Sequence, residues 1–206
     1  MKTCGGSSTV EQSLFQVEDG GPTPTSPLQL QLKEISKLTA KRFYKRWHYL
    51  GDTGFISTIN YGAYFDGELV GVISYGCPNA TEMKGYFDRF HQKGWWEIKR
   101  LAMTDNCPKN SESRFIAISL KLLRKFNNVV GVVTLADSKV GHVGTIYKAS
   151  GFKYLGLSAP KKDFYINGKI QQRGKVKGID GEWRDRSQKH KFVLTFNLPP
   201  HTKFIN

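Results

Sequence analysis

The stretch Val132 to Gly156, VVTLADSKVGHVGTIYKASGFKYLG, sets a β-branched run, an acid and a tyrosine within one short span. Val129 to Ala136 is short, apolar and bounded by polar residues, the pattern of a core strand rather than a helix. Asp137 and Ser138 fall where that strand ends. His142 to Ser150 follows as a helix with Ile146 and Ala149 one turn apart, and Gly151 supplies the stop just beyond it. Tyr147 is then carried on a helix beside the carboxyl end of a strand, the usual place for a ligand in an α/β sheet.

The rest of the chain supplies partners for that strand. Ser36 or Thr39 caps a helix reaching about Tyr49, with Phe43, Trp47 and Leu50 on one face and Lys41, Arg42, Lys45 and Arg46 on another. Tyr61 to Phe65 and Glu68 to Ser74 flank Asp66-Gly67, the chemistry a tight hairpin demands. Trp95 to Thr104 reads as the next strand; its alternation puts Trp96, Ile98, Arg100 and Ala102 on one face. Ser113 to Phe126 reads as an amphipathic helix, and Phe192 to Phe196 as a final strand. Residues 1–32 are rich in Gly, Ser, Thr, Pro and Gln without periodicity and read as a poorly ordered leader to a domain over 33–206. Residues 158–188 turn to Gly, Lys and Arg and read as an exposed insertion.

With 206 residues the chain suffices for one buried α/β domain, not two. Its 31 Lys and Arg against 17 Asp and Glu leave a formal charge of +14, spread through the folded region; the leader holds one Lys and three acids. Such a balance points to a polyanionic partner, with a solvated charged face as the plainer account. Cys4, Cys77 and Cys107 form no paired spacing, which fits a reducing compartment. No apolar run of about 18 residues exists to span a membrane, so a soluble intracellular protein is expected. His48, His91, His142, His190 and His201 lack metal-ligand spacing, and no metal is expected.

The Tyr147-Lys148-Ala149-Ser150-Gly151-Phe152 block resembles the last block of GNAT acyltransferases, and hairpin, strand, helix, strand, helix, strand is the element order of that fold. More narrowly, Asp137-Ser138, Gly141 to Tyr147 and Ala149 to Phe152 resemble the Mom DNA-modification proteins of bacteriophages, a divergent GNAT branch. The resemblance covers about Leu38 to Val193. It implies a mixed, mostly antiparallel sheet flanked by helices, and transfer of a carbamoylmethyl- or glycyl-type group to N6 of adenine in double-stranded DNA. That chemistry would protect phage DNA from restriction in the cytoplasm of an infected bacterium. A GNAT acyltransferase for a protein or small amine, and a non-catalytic DNA-binding protein on the same scaffold, are the other readings.

Adenine N6 is a weak nucleophile, since its lone pair is delocalised into the ring, so the base must be extruded and held against the donor carbonyl. Position and resemblance together assign Asp137 to the N6 proton, Tyr147 to the leaving group, and Arg100 to the developing negative charge. His48 and Tyr49 shape the base pocket. Arg100 beside Trp96 and Ile98 also needs a partner if buried, and Asp137 on an adjacent strand would serve. The GNAT resemblance implies a donor-phosphate site at Asn110, Ser111, Ser113 and Arg114, with Ser138 beside it. The junction departs from the family pattern, lacking glycine and carrying Pro108, which has no amide to give; acyl-CoA and aminoacyl-tRNA both stand as donor, the latter making tRNA a second partner. Ser111 or Ser113 alone would serve as a helix N-cap. Lys45, Arg46, Lys161, Lys162, Arg173, Lys175, Lys177 and Arg184 are candidates for phosphates. Trp47 and the aromatics of 77–95 and 158–188, with no regular face to hide in, are candidates for stacking on bases.

Overall fold

The computed structural model describes residues 30–52, 54, 56–78, 94–126, 128–171 and 178–196. In chain order the elements are β1 (Gln31–Glu34), α1 (Lys37–Trp47), β2 (Ile59–Phe65), β3 (Glu68–Gly76), β4 (Trp95–Met103) and α2 (Ser111–Leu123). There follow β5 (Gly131–Asp137), a 3-10 turn (Ser138–Val140), α3 (Thr145–Ala149), β6 (Lys153–Leu157), β7 (Lys161–Ile166), β8 (Lys169–Ile170), β9 (Glu182–Arg186) and β10 (Lys189–Thr195). Seven strands form one sheet in the order β1-β2-β3-β4-β5-β10-β6, antiparallel throughout except for the parallel pair β4 and β5.

Ser36 caps α1, its hydroxyl accepting from the Thr39 amide at 3.0 Å. The helix buries Ala40, Phe43 and Tyr44 against Val72 and Ala102, covering one face of the sheet. Trp47 and Leu50, which the periodicity grouped with Phe43, are exposed; His48 is already extended and ends the helix, and Tyr44 takes the inner position. On the opposite face α2 and α3 bury Phe115, Ile116, Leu123 and Tyr147 with Ile73, Tyr75 and Phe192. Asp66 and Gly67 both adopt positive φ, 47° and 83°, as the two-residue loop joining β2 to β3 requires.

The alternation read along β4 breaks in its middle. Ser74 pairs with Arg100 but Tyr75 with Ile98, so Lys99 is an extra residue, a β-bulge. Trp96 and Ile98 therefore face α2, whereas Arg100 and Ala102 face α1, and the four do not share a face. Ladder pairing between β4 and β5 runs from Trp95 and Gly131 to Ile98 and Thr134. Beyond that point the extra residue throws β4 out of phase with its parallel neighbour, and the two strands part.

Other boundaries move for local reasons. Leu30 and Leu32 are buried and β1 pairs with β2, so the last residues of the segment read as leader belong to the sheet. The second helix starts two residues early: Asn110, at φ 69°, is its N-cap, with no side-chain cap bond, and neither Ser111 nor Ser113 caps it. The third is confined to Thr145–Ala149 because Gly144 sits at φ 74°, outside helical space. Residues 161–186, read as structureless, hold a three-stranded sheet in the order β8-β7-β9, in which Phe164 is buried with its ring 5.1 Å from Trp183. These aromatics do have a strand face to pack on. Tyr86, Phe87 and Phe90 lie outside the described residues.

Gly144 is where backbone and packing constrain the same atom: a Cβ there would lie 2.2 Å from the Phe192 ring. Gly144→Ala is expected to cost about 2–4 kcal/mol, combining left-handed strain with overpacking. Urea unfolding of the variant checks this through its midpoint at unchanged slope.

Candidate active site

The parting of β4 and β5 leaves a gap into which residues from both faces of the sheet reach. Tyr147 comes from α3. Burial raises its hydroxyl above the ordinary phenol value, while Thr134 at the fork favours ionisation. The Tyr147 hydroxyl is turned toward Thr134, yet no contact of proper hydrogen-bond geometry satisfies Thr134 Oγ1, which is buried at the last rung of the ladder. Asp137 ends β5 and accepts from the Lys139 amide at 3.0 Å, closing the turn that follows.

Arg100 enters from the α1 face. It is buried, lies over the Tyr44 ring at 5.9 Å and donates to the Gly51 carbonyl. Burial lowers its guanidinium below the ordinary value, while Tyr44, Tyr49 and Asp52 hold it up. Tyr44 fixes this arrangement: its one hydroxyl proton is shared between Ser74 Oγ at 2.8 Å, whose own proton goes to Asn60 Oδ1 at 2.6 Å, and the Arg100 carbonyl at 3.1 Å. The bulge is thus pinned by a buried, satisfied network.

His48 and Tyr49 follow directly from α1 with their rings stacked at 4.6 Å. His48 Nδ1 accepts from the Leu50 amide at 3.1 Å, which leaves Nε2 as the protonated nitrogen of a neutral ring. Burial, then Arg100, then His142 lower its pKa from 6.5 to about 4. Tyr49, half exposed, is raised by burial and by Asp137, and meets His142 edge-on at 5.7 Å. His48, Tyr49, Arg100, Asp137 and Tyr147 accordingly converge around one gap, from four elements. Tyr44, Thr134 and the His142 ring join them. Tyr44 is invisible to motif reading because its role depends on the bulge; Thr134 gives itself away only as a polar residue inside a β-branched run.

The donor candidates divide. Cys107, Pro108, Lys109, Asn110, Glu112 and Ser113 face Thr145, Ile146 and Ala149 across an open cleft of about 380 Å³. Asn110 and Ser113 line it. Ser111 is buried and donates to the Pro108 carbonyl at 2.6 Å, Ser113 donates to the Asn110 carbonyl, and Arg114 is exposed on α2 outside the lining. Ser138 is elsewhere, its hydroxyl donating to the Gln188 carbonyl at 2.6 Å. A pyrophosphate fits this cleft poorly, since both serine hydroxyls are committed to the loop, Pro108 offers no amide, and the Lys109 charge is offset by Glu112.

Of the phosphate candidates, Lys45 and Arg46 are exposed on α1, with Arg46 over the Trp47 ring at 5.1 Å. Lys161 and Lys162 stand on β7 and Arg184 on β9; Lys162 approaches Asp185 at 3.7 Å, and Arg184 pairs with Glu182 and lies over Tyr165. Arg173, Lys175 and Lys177 lie outside the described residues. The small sheet is rooted at the gap: Gln188 Nε2 donates to the Ser158 carbonyl at 2.7 Å and Ser158 Oγ accepts from the Lys189 amide at 3.0 Å, beside Ser138 and Asp137. Among the described residues no cluster of His, Cys, Asp and Glu is arranged to hold a metal, and no helix is long and apolar enough to cross a membrane.

A mixed sheet with its one parallel pair, β4 and β5, parting beyond Ile98 and Thr134 is the fold of the GNAT acetyltransferases. A Bacillus subtilis acetyltransferase in complex with CoA superposes with a TM-score of 0.53 at 11% identity, over 82% of this chain and 100% of that one. A probable acetyltransferase from Staphylococcus epidermidis gives 0.52 at 12%, over 82% and 100%. Aminoglycoside acetyltransferase AAC(6')-Ib with coenzyme A and kanamycin gives 0.51 at 13%, over 81% and 95%. Within that fold the chain belongs to the Mom protein family, whose model matches residues 29–197. It is 29% identical over 157 residues to the methylcarbamoylase Mom of Escherichia phage Mu, covering 75% of this chain and 59% of that protein. The chain spans about three-fifths of that relative's length.

The depressed His48 value has a measurable consequence. Between about pH 6.5 and 4 the unfolded chain holds a proton on His48 that the folded chain does not, so the stability this ring contributes is complete above that window and lost as pH falls through it. By NMR the ring is expected to titrate near 4, and Arg100→Gln to move the midpoint part of the way upward; a wild-type midpoint at 6.5 would show that the ring is neither buried nor set against Arg100.

Proposed function

We propose that this chain transfers an acyl group, of the glycyl kind, to N6 of adenine in double-stranded DNA, in the cytoplasm of a phage-infected bacterium; a carbamoylmethyl group, joined through its methylene, would not arise from attack on a donor carbonyl alone. The observation that supports it most is the convergence of His48, Tyr49, Arg100, Asp137 and Tyr147 on the gap between β4 and β5, in a chain of the Mom family. An activated ester or thioester supplies the carbonyl carbon. Of the two donor classes, the cleft at α2 favours an aminoacyl-tRNA over acyl-CoA, because it makes poor provision for a pyrophosphate and the chain as a whole carries +14.

The chain's own residues then divide the work. Asp137 takes the proton that leaves N6 as the new N–C bond forms. Tyr147, whose raised pKa keeps its hydroxyl protonated at neutral pH, gives a proton to the leaving oxygen or sulfur as the old bond breaks. Arg100 faces the oxygen that gathers negative charge, held in place by Tyr44 and Gly51. Neutral His48, with its Nε2 proton, and Tyr49 hold the base. Small cationic amines, such as the aminoglycoside bound to one structural neighbour, are disfavoured as acceptors by the same positive charge.

DNA from bacteria expressing the chain, digested to nucleosides and weighed, is expected to contain a heavier deoxyadenosine. Tyr147→Phe and Asp137→Asn should each reduce that species by about two orders of magnitude or more, with DNA affinity changed by no more than a few fold. Modification at the wild-type level in Tyr147→Phe would remove the tyrosine from the chemistry.

A further inference from the structure

Two lips frame the mouth of the gap. On one, Trp47, Tyr49 and Leu50 complete α1 and its turn; on the other, Val140, His142 and Val143 lead into α3. The lips meet where the Tyr49 ring stands edge-on to His142 at 5.7 Å. Next in the chain to each of these rings is an aliphatic side chain in the open: Leu50 is 50% exposed and Val143 53%. One exposed aliphatic residue needs no explanation. A pair beside the contact that closes a gap lined with tyrosine, histidine and arginine calls for a partner.

The surrounding charge identifies that partner. The first lip is continuous with α1, which carries Lys37, Lys41, Arg42, Lys45 and Arg46 and no acid; the second carries Lys139 and Lys148. An apolar protein surface covering the pair would have to bring dense negative charge with it. Duplex DNA brings both features, with phosphates outside and stacked base faces within, and aliphatic side chains are a common means of parting that stack. An adenine must leave the stack to approach Tyr147, which is only 8% exposed, and the space it vacates must be filled.

From this we infer that Leu50 and Val143 are wedges that enter the base stack of duplex DNA from the two lips and fill the space left by an extruded base, while the cationic face of α1 holds the flanking phosphates. The inference rests on the reading that the acceptor is an adenine in DNA. It adds a division of labour: α1 sets affinity, and the two aliphatic side chains set the state of the base.

The test titrates the full chain into duplex oligonucleotides in which 2-aminopurine replaces an adenine in several flanking contexts. Anisotropy of a terminal dye reports binding, and 2-aminopurine fluorescence reports unstacking. The wild-type chain is expected to raise the fluorescence several fold. The double variant Leu50→Ser with Val143→Ser should bind within roughly threefold of wild type, since phosphate contacts dominate affinity, while the rise falls by about fivefold or more. Opposite an abasic site, where the space is already open, the variant should recover the wild-type rise. A wild-type rise in the double variant on intact duplex would overturn the inference, as would a loss that persists opposite the abasic site. So would a change of oligomeric state on sedimentation, which would mean that a second copy covers the pair. Absence of DNA binding by the wild-type chain would instead remove the reading on which the inference stands.

Discussion

The structure depends on one extra residue. Lys99 enlarges β4 by a single position opposite the Ser74–Tyr75 step, and a regular parallel ladder with β5 cannot survive it. Every backbone group in a sheet seeks a partner, so parting two central strands is costly unless something else holds them. Here β4 stays bound to β3 along its length and β5 to β10, while the Tyr44 hydroxyl fastens the bulge to Ser74 and to the Arg100 carbonyl. The cost of the gap is thereby kept local, and the core on either side remains continuous.

From that gap the chemistry follows. Because it opens through the sheet, Tyr147 from the α3 face and Arg100, His48 and Tyr49 from the α1 face influence each other's ionisation although they belong to opposite layers. The two sides differ in kind. On one, a phenol is kept protonated by burial; on the other, burial and then a neighbouring guanidinium keep an imidazole neutral. Environments that push titratable groups apart in this way are the usual mark of a site built for proton transfer. Membership of the Mom family and the GNAT fold accord with that reading, and the basic face of α1 beside the mouth accords with a polyanionic acceptor.

Much of this was legible in the sequence where local rules govern. Asp66-Gly67 specified its hairpin because two positive φ values suit few other pairs, and Val129 to Ala136 specified a core strand because nothing else buries so many branched side chains in so short a run. Asp137, Tyr147, Arg100, His48 and Tyr49, singled out along the chain, lie close to one another in the fold. What local rules missed was non-local. A bulge leaves no trace in the alternation of Trp96, Ile98, Arg100 and Ala102, so Arg100 was placed on the wrong face and Tyr44 was passed over. Asn110 displaced the expected serine caps because a left-handed residue ends the loop there, and the strands of residues 161–186 were hidden by a Gly, Lys and Arg composition that resembles a loop.

Deleting Lys99 asks directly whether transfer takes place in the gap between β4 and β5. Removing the extra residue leaves every β4 side chain on its present face and lets the ladder with β5 run on past Thr134, so that only the gap is lost. The variant is expected to fold and bind DNA, yet its expression should leave host deoxyadenosine unmodified when the DNA is digested and weighed. A Lys99 deletion that modifies adenine at the wild-type level would contradict this expectation, because the gap between β4 and β5 would then not be where the transfer takes place.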